Sequence, residues 1–204
     1  MRCVLAPEKP PSLYKTLDID LRVAMRAYLA AQAGGARIVE EMGIWNGSVR
    51  VDLALLTAPM LGVELKSDRD TLARLPAQMK LYNQVFGRMI LVVGAKHVEK
   101  ALALVPEWWS VMVATWVDEA VVLTEVRAGT DNPTLKPMML ARLLWRDEAL
   151  ALLKEHGLDK GWRTKRVGQL QKRASTELAP EVLIEAVTRT LAGRVNWKPG
   201  AKRS

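Results

Sequence analysis

The sequence predicts an α/β fold: a mixed β-sheet with helices packed against it. Three observations carry that prediction. Two strand-like segments meet at Asn46-Gly47, and a third follows closely. The run Met89-Ile90-Leu91-Val92-Val93 is apolar without alternation, as in a strand covered on both faces. Around these segments, apolar residues recur at helical spacing.

Taken in order, residues 1–12 are Pro-rich and predict a loose arm. Over 18–32, Leu21, Met25, Tyr28 and Leu29 mark one helix face, and Gly34-Gly35 stops the run. Strands are expected at 37–44 and 48–56, because Asn-Gly tolerates the positive φ of a tight hairpin. A third strand, 61–66, follows Ala58-Pro59. Helical spacing returns over 70–86, where Pro76 imposes a break or a late start. A strand at 88–93, a helix at 96–104 ended by Pro106, and strands at 110–117 and 121–126 complete a sheet built from a hairpin meander and helical crossovers. After 129–133 the strand signal ends, and 140–156 and 180–191 read as helices. This places a soft boundary at residue 133, between a core (1–133) and a helical, basic C-terminal region (134–204).

Charge sharpens that division. The net charge is +8. Residues 1–135 carry 15 Lys and Arg against 15 Asp and Glu, whereas 136–204 carry 15 against 7. A basic region beside a neutral domain suits a nucleic-acid partner, though a solvated helical surface has the same composition. Half of the residues are hydrophobic, enough for a folded core. Cys3 is the only cysteine, so no internal disulfide forms, in keeping with a reducing cytoplasm. The two histidines, His97 and His156, are too far apart in sequence to suggest a zinc site. No apolar run approaches the roughly 20 residues of a membrane-spanning helix, and the N-terminus is too short in apolar residues for a secretory signal. A soluble, cytoplasmic protein with no membrane partner is therefore expected.

The chemistry is concentrated in the second and third strands. Asp52 interrupts an otherwise apolar strand. In Val63-Glu64-Leu65-Lys66, alternation sends Glu64 and Lys66 to one face. If the two strands pair, Asp52 and Glu64 lie side by side at an edge of the sheet. Two close carboxylates repel unless a cation stands between them, and Mg²⁺ prefers carboxylate oxygen. Lys66 would then hold an attacking water and offset negative charge in the transition state. A Glu-x-Lys on a solvated strand face is, however, a common arrangement with no chemistry.

Arg50-x-Asp52 followed by Glu64-x-Lys66 resembles the active-site signature of the PD-(D/E)xK nuclease superfamily. The stretch from Val63 to Gln78, with Tyr82, Val85-Phe86, Val92-Val93-Gly94, His97 and Val105-Pro106-Glu107-Trp108-Trp109, is similar to a bacterial and phage group within it. The likeness is looser from Leu144-Trp145-Arg146-x-Glu148 to Arg194-x-x-Trp197. What it implies is a restriction-endonuclease-like core and an Mg²⁺-dependent phosphodiesterase acting on DNA, with Mn²⁺ as a possible substitute. Asp52 and Glu64 would bind metal and Lys66 would be the catalytic lysine. Gln78 and Tyr82, four residues apart on one helix face, would line the site or contact phosphate. A further glutamate would come from Glu40 or Glu41, which alternation sends to opposite faces; Glu41 is the favoured one. Val51 stands where the superfamily has proline.

Other candidates follow from the residues themselves. Asp68 and Asp70 are expected as caps of the next helix. Of Trp108 and Trp109, one ring is expected in the core and one exposed. Arg163, Lys165, Arg166, Lys172 and Arg173, near Trp162, suit phosphate contacts without base readout, or an ordinary basic linker. Residues 198–204 read as a flexible basic end. Two rival functions remain open: a catalytically inactive DNA-binding protein on a nuclease-derived fold, and a regulatory interaction protein with a basic tail. The sequence does not decide between a monomer and a homodimer.

Overall fold

The computed structural model describes residues 15–44 and 49–195. The expected arm at 1–12, the Asn46-Gly47 turn, Trp197 and the basic end at 198–204 lie outside the described residues. The elements are α1 (Asp18–Gln32), β1 (Ile38–Ile44), β2 (Val49–Leu55), β3 (Leu61–Lys66), α2 (Leu75–Tyr82), β4 (Arg88–Gly94), α3 (Val98–Leu104, entered through a 3-10 turn), β5 (Ser110–Val117), β6 (Ala120–Arg127), α4 (Pro137–Ala141), α5 (Arg146–Glu155), α6 (Val167–Glu177) and α7 (Pro180–Ala192).

Six strands form one mixed sheet in the order β1-β2-β3-β4-β5-β6. The β1–β2, β2–β3 and β5–β6 pairs are antiparallel, and β3–β4 and β4–β5 are parallel. The expected α/β fold with a mixed, helix-flanked sheet is therefore the one observed.

The apolar run in β4 divides between two cores. Ile90 and Val92 join Leu21, Met25 and Leu29 of α1 on one face, with Leu53, Val63 and Leu65. Met89, Leu91 and Val93 join the other face. That second cluster also takes in Tyr82 and Phe86, Ala101, and Leu140, Leu144, Leu153, Leu170, Ala174, Leu183, Val187 and Leu191. Helices α4 to α7 thus share a core with the sheet. Among the described residues, no helix is long and apolar enough to cross a membrane.

The late helix start expected at Pro76 is observed, and two other helix expectations change. α2 begins at Leu75, with Pro76 in its first turn, where the missing N–H costs nothing. The single helix expected at 140–156 is two, because Glu148 Oε2 accepts the backbone N–H of Trp145 at 2.7 Å and starts a new helix there. The basic stretch after residue 166 is α6, whose Leu170 and Ala174 are buried. Its Leu170-Ala174-Leu178 spacing was a legible helix signal, diluted by the surrounding Lys, Arg and Gln.

Both tryptophans at 108 and 109 are buried, so neither ring is the expected exposed one. The Trp109 indole N–H donates to Asn83 Oδ1 at 2.9 Å. Residues from the looser part of the likeness also meet: Arg194 Nε donates to Glu148 Oε1 at 2.8 Å, and its guanidinium lies over the Trp145 ring at 4.2 Å.

Candidate active site

Strands β2 and β3 pair only through Leu53–Val63, Ala54–Gly62 and Leu55–Leu61. One more step in that register would set Asp52 opposite Glu64, and there the strands part. Asp52 Oδ2 instead accepts the backbone N–H of Leu65 at 2.7 Å. The side chain replaces the lost ladder bond, and a cleft opens where these two interior strands part. The carboxylates therefore meet in mid-strand, where the β2–β3 ladder stops, and not at an edge of the sheet as the sequence suggested.

The cleft has a volume of about 540 Å³, and its lining includes Asp52, Glu64, Lys66, Glu41 and Gln78. Glu64 and Lys66 share the face expected from alternation: Val63 and Leu65 belong to the α1-side core, and the Lys66 ammonium donates to Glu64 Oε1. Gln78 Nε2 donates to the same oxygen at 2.6 Å. Tyr82 Oη lies 2.7 Å from Glu64 Oε2 and 2.6 Å from the Arg50 carbonyl, so its one proton is shared between two acceptors. Gln78 and Tyr82 sit four residues apart on α2, and both reach Glu64. Tyr82 itself is fully buried behind the carboxylate. Burial and the Glu64 charge push the Tyr82 phenol up, which keeps it a proton donor. With its amide N–H group committed to Glu64, Gln78 Oε1 is left buried without a partner among the described residues.

Electrostatics set Asp52 apart. Burial first, then the charge of Glu64, push its carboxyl up to about 7. The Leu65 N–H, Lys66 and Arg22 oppose that rise. Arg22, from α1, is the main feature that sequence reasoning missed. Its guanidinium donates to Glu41 Oε1 at 2.9 Å and to the Asp52 carbonyl at 3.2 Å. It also lies 3.4 Å from Asp18 and 3.8 Å from Glu40 and Asp52. On α1 it follows the buried Leu21 and precedes Met25, so helical spacing marks it only as a polar neighbour of a core stripe.

Glu40 and Glu41 do not take opposite faces. The β1–β2 ladder is interrupted between Glu40–Leu53 and Met42–Val51, and Glu41 has φ +50°. A non-glycine residue there costs roughly 1–3 kcal/mol. The irregularity breaks alternation, so both glutamates reach Arg22, while only Glu41 lines the cleft.

Asp68 and Asp70 are not helix caps, since α2 starts later. Asp70 Oδ2 accepts the Ser67 N–H at 2.8 Å, and Asp68 Oδ2 accepts the Thr16 N–H at 3.0 Å. Together they lock the turn leaving Lys66. A Cβ at Gly94 would lie 2.3 Å from Asp68 Oδ1, which explains the glycine ending β4. His97 Nε2 is 3.0 Å from the Asp70 carbonyl, a structural contact.

The tail cations stand elsewhere. Arg163, Lys165, Arg166 and Lys172 are exposed, and Arg173 stacks on Trp162 at 4.5 Å. None of the five lines the cleft.

A hard divalent cation is compatible with the donors in the cleft. Asp52 and Glu64 supply carboxylate oxygens, and the upward shift of Asp52 marks negative charge that a cation would balance. Among the described residues, no three Asp, Glu, His or Cys side chains group to hold a metal; Glu41 is committed to Arg22. Two carboxylates are nonetheless the usual protein share for Mg²⁺, with water and phosphate supplying the rest.

Comparison with known proteins adds a lineage. The family model described as Bacteriophage P4 protein cII matches residues 19–198. Protein cII of Enterobacteria phage P4 is 24% identical over 146 residues, covering 72% of this chain and 55% of that protein. The chain thus spans about half the length of that curated relative. Among solved structures, the SPO1766 protein of unknown function from Silicibacter pomeroyi is similar, with 20% identity, coverage of 74% of this chain and 100% of that one, and a TM-score of 0.45.

Proposed function

This chain belongs to the bacteriophage P4 protein cII family, and we propose that it is a divalent-cation-dependent nuclease with a restriction-endonuclease-like core, hydrolysing DNA phosphodiesters. One observation carries the reading. Two carboxylates and an ammonium, Asp52, Glu64 and Lys66, converge in one cleft where β2 and β3 part.

Asp52 and Glu64 would hold Mg²⁺ or Mn²⁺, which supplies Lewis acidity toward a phosphoryl oxygen. The chain's own groups do the rest. Gln78 and Tyr82 fix the Glu64 carboxylate in place through hydrogen bonds of 2.6 and 2.7 Å. The Leu65 N–H fixes Asp52. Lys66 directs its ammonium toward the attacking water and offsets the charge that grows on the phosphoryl oxygens. Water adds to phosphorus as the ester bond to the leaving sugar oxygen breaks; solvent takes the proton the water loses and returns one to the leaving oxygen. The exposed cations of residues 163–172 hold the polyanion through its phosphates.

A second reading, a DNA-binding protein without catalysis, draws on Arg22, which already balances Asp18, Glu41 and Asp52 without a metal. Thermal melts with Mg²⁺, Mn²⁺ or EDTA separate the two. The nuclease reading expects saturable stabilisation by about 3 kcal/mol at 100 times Kd, lost in Glu64→Gln. Equal melts in all three conditions would favour the second reading.

A further inference from the structure

The cleft carries two cations that the mechanism above leaves idle. Arg50 and Arg74 both line it and both are exposed. Among the described residues, neither side chain has an ion-pair or hydrogen-bond partner. They stand on different walls: Arg50 is the second residue of β2, and Arg74 immediately precedes α2. Spacing of three to four residues places Arg74, Ala77, Gln78 and Leu81 along one side of α2, and all four line the cleft. The two walls are tied together, because Tyr82 of α2 reaches the Arg50 carbonyl at 2.6 Å.

The charges of the cleft give these arginines a task. Asp18, Glu41, Asp52, Glu64 and Asp70 line it, a surface that repels a polyanion. Lys66 is committed to Glu64, and the tail cations lie outside the cleft. Apolar Val49, beside Arg50 on the β2 wall, and Ala77 and Leu81, beyond Arg74 on the α2 wall, also line it.

We propose that Arg50 and Arg74 are backbone-binding residues that grip the phosphates of a DNA strand on either side of the acidic pair, with its sugars against Val49, Ala77 and Leu81. Arginine suits the task through its planar fork of donors, which matches phosphate oxygens. The proposal rests on DNA being the substrate of this cleft and names how the strand is held there.

The test uses the full chain and labelled oligonucleotides, single- and double-stranded, in EDTA with no metal added. Binding is followed by fluorescence anisotropy over a salt series. Arg50→Ala or Arg74→Ala should weaken binding roughly tenfold each. Each should also flatten the log Kd against log salt slope by about 0.9 for duplex or about 0.7 for a single strand. The doubly conservative R50K/R74K chain should keep the wild-type slope. Wild-type affinity and slope in the double alanine variant would overturn the proposal, as would a lysine pair whose salt slope flattens as much as that of the alanine pair, or a wild-type chain that binds neither oligonucleotide. The proposal and the nuclease reading fail separately. Arginine-dependent binding with no cleavage in any metal defeats only catalysis, whereas cleavage with an unchanged KM in the double alanine variant defeats only this proposal.

Discussion

Asp52 Oδ2 accepts a 2.7 Å hydrogen bond from the backbone N–H of Leu65 where β2 and β3 cease to pair. A side chain has taken over a ladder bond, and the strands separate without leaving a buried donor unmet. The carboxylate needed to hold the strands at the break is also one of the pair in the cleft.

Asp52 should therefore tie stability to pH. Its folded-state value, about 7, lies above the ordinary 3.8. The folded protein keeps a proton that the unfolded chain has released, so stability falls as pH rises from 3.8 to about 7. The loss is at most on the order of 4 kcal/mol. Asp52→Asn, which keeps an acceptor for Leu65, should remove this part of the slope and raise the metal-free Tm at pH 8. Asp52→Ala should gain less, because it strands the Leu65 N–H. Melts in EDTA at pH 5 and pH 8 check this, and an unchanged slope in the asparagine variant would contradict it.

Tyr82→Phe should cost about 1–2 kcal/mol of stability, because the Arg50 carbonyl and Glu64 lose a shared donor. Cleavage should fall roughly tenfold and not disappear, since Gln78 and Lys66 still hold Glu64. Denaturant unfolding and initial rates measure the two effects; complete loss of activity in a folded variant would give Tyr82 a direct part in the chemistry.

The legible parts of this molecule were those set by local rules. Alternation in β3 placed Glu64 and Lys66 together, and the unbroken apolar run of β4 announced a strand buried on both sides. The illegible parts came from tertiary exceptions. Glu41 leaves regular strand geometry with φ +50°, which no alternation argument foresees, so Glu40 and Glu41 arrive on the same side. Arg22 joins the site through α1 packing, with no local mark in sequence. The α6 stretch was read as a phosphate-contacting segment or a basic linker because its charges diluted the spacing of two core residues, Leu170 and Ala174.

The helical tail offers a separate test. Truncation before α6 would remove Leu170, Ala174, Leu183 and Leu191 from the core and unfold the chain, so charge removal is the sound experiment. Replacing Arg163, Lys165, Arg166 and Lys172 by Ala should change stability by no more than about 0.5 kcal/mol for each substitution. DNA affinity should fall in a salt-dependent way. Binding measured across a salt series decides the matter, and an unchanged affinity would clear the tail of DNA contact.

The central claim is cleavage through Lys66. Supercoiled and linear DNA would be incubated with Mg²⁺, Mn²⁺ or EDTA, using wild type and Lys66→Gln, a variant that keeps a donor for buried Glu64. Strand breaks are expected with metal, none in EDTA, and a loss of roughly a hundredfold or more in the folded variant. Cleavage that persists in Lys66→Gln, or the absence of metal-dependent cleavage in wild type, would contradict that claim.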